Sequence, residues 1–300
     1  MTKDEVIAEL SAYTGRFPRE AVETATAIWS EIAGDMVTAL EYAAANPVEL
    51  ANDPDAMLHT YAMYLCAEKR ETRALAPILR AMSCPDPWAL DALFGDTLTD
   101  AAGRIVASLF TGDVQPIQEL IENREADEFS RGQGIVALTA LVVNKRLERE
   151  VFIAYLRELF ETRLEREPSQ VWTAAVDAAA ELAAGELEPA VTKAYEEGLL
   201  TGVFDSPESP LCKLTTDVDA AMDALNWKPR YTLIEDTVIP RGGGGEAQQQ
   251  KRVSAGPRVL SRFACDLIRR RRRNSIARLR HSPTNTKGLQ VASTAGTSYT

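Results

Sequence analysis

Apolar residues recur along this chain with helical spacing, most plainly between Leu98 and Phe160. Thr99–Phe110 places Ala102, Ile105, Val106 and Leu109 on one stripe, which predicts a helix with a single buried face. Gly112-Asp113 ends it, and Val114, Ile117, Leu120 and Ile121 repeat the stripe over a shorter run. After polar Asn123–Asp127 the next helix carries Phe129, Ile135, Leu138, Leu141 and Val142. Beyond Asn144–Leu147, the residues Val151, Phe152, Tyr155, Leu156, Leu159 and Phe160 make another. Connections this short join antiparallel helices into hairpins. No stretch alternates polar and apolar positions long enough for a strand.

The flanking regions follow the same rule. Thr2 and Glu5 form a capping-box pattern at the start of a helix over Glu5–Tyr13, stopped by Gly15. Pro18 suits the first turn of a helix carrying Val22, Ala25, Ile28, Trp29 and Ile32, expected to stop at Gly34 before a return helix over Asp35–Ala45. Asn52–Asp55 is a turn. Ala56–Ala67 pairs with Thr72–Met82, and Trp88–Phe94 adds one or two helical turns after the corner at Cys84–Pro87. Pro168–Ala184 and Glu188–Leu200 form the next pair, and Asp205–Pro210 is expected as a loop. Asp217–Leu225 is a short helix, and Asn226–Pro240 an extended segment able to lie against the body. The fold expected is all-α: stacked antiparallel helical hairpins of the HEAT-like α-solenoid kind, over residues 1–240.

From Arg241 the character changes. Gly242–Gly245 and Gln248–Gln250 are low-complexity, and beyond Arg273 the chain has few large apolar residues, so residues 241–300 are expected to be a disordered basic tail. The tail holds 13 of the 33 Lys and Arg and 2 of the 44 Asp and Glu, leaving 20 basic and 42 acidic residues before it. The overall charge of −11 therefore divides into a body of about −22 and a tail of about +11. Such a body repels phosphates and favours a basic protein or peptide partner. Nucleic acid is expected only through the tail, at Arg269, Arg270, Arg271, Arg272 and Arg273.

Catalytic chemistry finds little support. Gly132-Gln133-Gly134-Ile135-Val136-Ala137 matches GxGxxA, but polar Glu125–Arg131 precedes it where a dinucleotide fold needs a strand. Small residues permitting close helix packing account for it. His59 and Cys66 lie two helical turns apart, about 10 Å along the axis, too far for a thiolate–imidazole pair. Cys66, Cys84, Cys212 and Cys265 form no cluster, which suits reduced thiols in a cytoplasmic protein and neither zinc nor a disulfide framework. Glu119, Glu122, Glu125, Asp127 and Glu128 suit a solvated face better than general acid–base work. No cofactor, metal or catalytic residue is expected. The N-terminus lacks a signal-peptide pattern, and no apolar run approaches the length of a membrane span.

Arg131 is the exception to the stripe. It falls four residues before Ile135 on the apolar face, where a buried guanidinium needs a carboxylate or carbonyls. Asp177, within the apolar run after Pro168, is the expected partner in an ion pair between hairpins; otherwise Arg131 extends its head to solvent.

Several ordered motifs carry a resemblance. They are Phe17–Ala21, Gly112-Asp113 with Ile121–Asn123, Ala126–Glu128 before Arg131-Gly132, Tyr155–Phe160, Val171-Trp172, Asp177–Ala179, and Tyr231 with Ile234–Thr237. Together they resemble, over about Thr2–Val238, the bacterial family catalogued as domain of unknown function number eleven eighty-six. The resemblance implies an all-helical, HEAT-like domain with no established activity. Some members resemble this body followed by a Cys-rich SEC-C zinc motif, which is missing here. Two origins fit the tail: translation out of frame relative to an ancestral ending, or an authentic basic arm. A Cys-rich ending in another frame of the coding DNA supports the first. The expected role is a non-enzymatic protein–protein interaction scaffold; the alternatives are RNA or other polyanion binding through the tail, and a carboxylate-based hydrolase.

Overall fold

The computed structural model describes residues 1–201 and 208–237, so Arg269–Arg273 and Cys265 lie outside the described residues. Among the described residues every regular element is helical, with two isolated bridges, Ala12 to Ala56 and Ser169 to Leu200. The chain begins with α1 (Lys3–Ser11), where the capping box forms as its sequence dictates: the Thr2 hydroxyl accepts from the Glu5 amide and the Glu5 carboxylate accepts from the Thr2 amide. There follow α2 (Arg19–Ala27), α3 (Trp29–Ala45) and α4 (Pro47–Ala51). Gly34 does not stop a helix. Glycine costs only about 1 kcal/mol inside one, and the buried row Ile32, Met36, Val37 and Leu40 continues across it. The break falls instead at Ile28, with φ −100° and ψ 29°.

Four helix–turn–helix pairs make the body. They are α5 (Leu58–Glu68) with α6 (Leu75–Met82); then, after α7 (Pro87–Phe94) and α8 (Thr97–Asp100), α9 (Ala102–Ser108) with α10 (Gln115–Glu122). Next come α11 (Glu128–Val143) with α12 (Arg149–Glu158), and α13 (Gln170–Glu181) with α14 (Glu188–Glu196). The chain closes with α15 (Glu208–Leu214), where a loop was expected over Asp205–Pro210, and α16 (Val218–Leu225). Proline is tolerated in a first turn, where its missing N–H has no partner to lose.

The first helices of the pairs pack in a row, α5 on α9, α9 on α11 and α11 on α13, and α15 continues the row against α13. The second helices form another layer: α6 meets α10, Tyr155 of α12 donates to Glu122 of α10, and the π-turn Leu159–Arg163 after α12 meets α14. This arrangement is compatible with HEAT-like stacking. The apolar stripes meet in one core around Trp172, Phe94, Phe152 and Ile105. Phe129 and Val151, expected on those stripes, are 43 % and 53 % exposed, because each sits in the first turn of its helix, beyond the edge of the layer.

Close packing explains two of the glycines. A Cβ on Gly134 would lie 2.6 Å from Ile121 Cγ1, and one on Gly103 2.7 Å from Val136 Cγ1. Thr99–Phe110 is also not one helix; it breaks at Ala101, φ −138°. Gln133 bridges the break. Its Oε1 accepts from the Gly103 amide at 3.0 Å and its Nε2 donates to the Thr99 carbonyl at 3.1 Å, supplying partners that the interrupted helix cannot.

Candidate functional site

The C-terminal segment supplies the feature with the most functional content. After the 3₁₀ turn Pro229–Tyr231, residues 232–237 run extended as a strap across the ends of four first-layer helices, in reverse order of the stack. At α13, Lys228 and the Tyr231 hydroxyl both bond Glu181. Past α11, Asn144 Nδ2 donates to the Tyr231 carbonyl at 2.8 Å. On α9, Arg104 Nε donates to the Thr232 carbonyl at 2.6 Å, and the Ser108 hydroxyl accepts from the Ile234 amide at 2.9 Å. At the end of α5, Arg70 donates to the Ile234 carbonyl at 2.7 Å and Glu68 accepts from the Thr237 amide at 2.8 Å. Tyr231, Ile234 and Thr237 are buried, while Thr232, Glu235 and Asp236 face solvent.

Three of the four helix ends beneath the strap share one shape. Arg70, Lys145 and Ala183, just past α5, α11 and α13, have φ of 54°, 57° and 50°, and the next amide of each reaches back to Cys66, Leu141 or Ala179. This is the Schellman closure, made here with side chains in the left-handed region that glycine usually fills. At Arg70 the closure also places its Nη1 on both the Ala67 and the Ile234 carbonyls. Neighbouring carbonyls are closed by arginines: Arg146 caps Ala107 and Phe110, and Arg149 caps Leu182 and Ala183.

Just before the strap, the 3₁₀ turn Pro229–Tyr231 together with α8, α9, α11 and α13 lines a cavity of about 550 Å³. Arg104, Gln133, Gln170, Phe129 and Arg230 line it, with Asp100 at the exposed rim. Burial, before any other cause, lowers the pKa of Arg104; burial followed by the Asp96 charge raises that of Asp100.

Arg131 is buried and has a carboxylate, but from Glu165. Its Nη1 and Nη2 donate to the two Glu165 oxygens at 2.5 and 2.9 Å, and its Nε donates to the Ile121 carbonyl at 2.8 Å. The hydrogen bond from Arg131 holds the Glu165 carboxyl below the usual range. Asp177, the partner expected from sequence, lies instead in the field of Glu181, Arg230, Lys213 and Lys228. Burial and then Glu181 raise its pKa. A raised carboxyl favours the folded state below its unfolded pKa and loses that contribution as pH rises through the folded one. Asp177→Asn is therefore expected to melt above the parent at pH 7, with the difference closing as pH falls below the ordinary aspartate range. Thermal melts across that interval check it, and a lower melting point at pH 7 would refute it.

The other candidate groups are occupied structurally. His59 is buried with Nε2 3.1 Å from the Leu93 carbonyl, and Cys66 is buried with its thiol pushed up to about 12. Gly132–Ala137 lies inside α11, away from any strand. Glu122 accepts from Tyr155 and Arg163. Asp177 has the Glu181 carboxyl as a neighbour, but neither lines the cavity, and Glu181 is held by Lys228 and Tyr231. Among the described residues no three His, Cys, Asp or Glu side chains are placed to hold a metal, and no helix is long and apolar enough to cross a membrane. Glu68, Arg70, Arg104, Ser108 and Asn144 escaped sequence reasoning because they share no motif. Only the proline- and aromatic-bearing segment that they hold had a signal.

A family described as "Protein of unknown function (DUF1186)" matches residues 1–240. An uncharacterised protein of Chlamydia trachomatis serovar D is 36 % identical over 208 residues, which is 69 % of this chain and 82 % of that protein. An uncharacterised protein of Chlamydia muridarum is likewise 36 % identical over 208 residues, covering 69 % of this chain and 83 % of its own length. No solved structure matches.

Proposed function

This chain belongs to that family of unknown function, and from that premise we propose that its helical body is a non-enzymatic scaffold that binds a protein partner through an extended segment. The strap supports the role. Side chains from three separated helix ends meet main-chain N–H and C=O groups of residues 231–237, the manner in which a stack of helices can hold extended polypeptide irrespective of side-chain sequence. The acid-rich body adds a preference for basic partners through charge complementarity.

Affinity capture with the full chain and with a chain ending at Pro240 tests this. Both are expected to retain the same protein from cell extract at low salt and release it as salt rises. Recovery of nucleic acid alone, or capture lost on removal of residues 241–300, would replace the scaffold by polyanion binding through the tail.

A further inference from the structure

Arg104 is a buried cation with no ion-pair partner among the described residues. The residue is 7 % exposed, and no carboxylate of the described residues lies within ion-pair distance of it. The closest comparison is Arg131, equally buried, which is neutralised by both oxygens of Glu165. Arg104 Nε and Nη2 hold the Thr232 carbonyl and hydroxyl, so the guanidinium is fixed in place while Nη1 makes no bond to the described residues. Glu235 is near enough to stabilise the charge but is exposed on the strap. A desolvated guanidinium without an anion is costly, and a bound oxyanion offsets that cost.

The cavity that Arg104 lines has the remaining parts of a small-molecule site. Arg230, exposed on the 3₁₀ turn before the strap, brings a second guanidinium to the lining, and its charge also reaches Asp177. Gly132 and Ala174 line it without bulk, and Phe129, 43 % exposed, adds an aromatic ring to the lining. Gln170 adds an amide whose Nε2 makes no bond to the described residues. Two cations, an amide and one aromatic face suit a small molecule bearing a carboxylate or phosphoryl group. Asp100 opposes the anion only from the rim.

We propose that this cavity binds a small oxyanion, carboxylate or phosphate, between Arg104 and Arg230, and that the anion holds the strap closed over α9. Because Arg104 also holds Thr232, the ligand and the strap share one guanidinium, so occupancy and closure are linked. The site shares Arg104 and the strap with the proposed scaffold role, but anion binding is read on the isolated protein and partner capture from extract, so the two fail separately.

The test uses the full-length chain with Arg269–Arg273 each replaced by Gln, so that the tail cannot absorb the probe. Melting temperature and equilibrium dialysis are followed against inorganic phosphate and, separately, acetate, with sodium chloride at matched ionic strength as the baseline. A saturable rise above chloride with either anion is expected, and the tighter of the two names the ligand class. Arg230→Gln is expected to weaken binding about tenfold, the loss of one charged hydrogen bond, read as the anion-dependent shift relative to the same variant in chloride. Arg104→Lys keeps the charge but loses the fork, and is expected to weaken binding similarly. No saturable rise with either anion, or unchanged affinity in Arg230→Gln, overturns the proposal.

Discussion

Glu165→Ala is expected to destabilise the protein by about 3–5 kcal/mol, the cost of leaving one partner of a buried ion pair uncompensated. The burden falls on Arg131, whose side chain is 4 % exposed and cannot reach water without dismantling the packing of α10 against α11. For a chain of this size the melting temperature should fall by about 10 °C. Arg131→Met should cost much less, because it removes the buried cation and leaves Glu165, 18 % exposed and beside Arg124, able to hydrate. The Arg131→Met, Glu165→Ala double variant should then lie close to Arg131→Met alone. The pH dependence has a definite sign. Glu165 has a lowered pKa in the folded state, so its stabilisation is present above the unfolded glutamate value and is lost as pH falls through the folded one. The deficit of Glu165→Ala should accordingly shrink on acidification. Thermal melts of the three variants check both effects; a Glu165→Ala melting point within a degree or two of the parent at pH 7 would show the pair to be idle.

Gly103→Ala is the second large effect, and its direction opposes helix propensity. Alanine is better than glycine inside a helix by about 1 kcal/mol. Here the new methyl would meet Val136 Cγ1 at 2.7 Å, Val136 Cβ at 2.9 Å and Gln133 Oε1 at 2.9 Å. Val136 is buried and β-branched, so it has no alternative rotamer to retreat into, and Gln133 is held at both ends of its amide. Overpacking of this kind costs about 1–3 kcal/mol. Gly34→Ala is the control: nothing lies within 4 Å of its added Cβ, and it should raise stability by up to about 1 kcal/mol. Denaturant titrations of both variants decide the matter. Equal gains would mean that α9 and α11 do not approach closely.

How far the sequence alone leads depends on the range of the interaction. Thr2 and Glu5, three residues apart, announce their capping box because both partners lie within one turn. The stripe of Ala102, Ile105 and Leu109 announces burial because periodicity is local too. The small residues of Gly132–Ala137 were legible as packing, although not which neighbour they would meet. Arg131 was legible as a residue in need of a carboxylate, but its partner was not: Asp177 was the expected one, and Glu165 lies in the turn after α12, whose course no local pattern gives. That turn includes a π segment, Leu159–Arg163, which shifts the phase of whatever follows. The strap shows the same division. Its extended character follows from Trp227, Pro229 and Pro240, whereas its contacts on Glu68, Arg104 and Asn144 span 87 to 169 residues. No periodic signal reaches that far.

Amide hydrogen exchange at Ile234 and Thr237 in the full chain tests most directly whether the C-terminal segment is seated across the helix ends. Both N–H groups donate to side chains of the body, Ser108 and Glu68, and both residues are buried. They should exchange far more slowly than in an unfolded chain, and Glu68→Ala should release Thr237 while sparing the amides of α11. Exchange of both at the rate of an unstructured peptide would contradict the strap, and with it the scaffold role inferred from the way it is held.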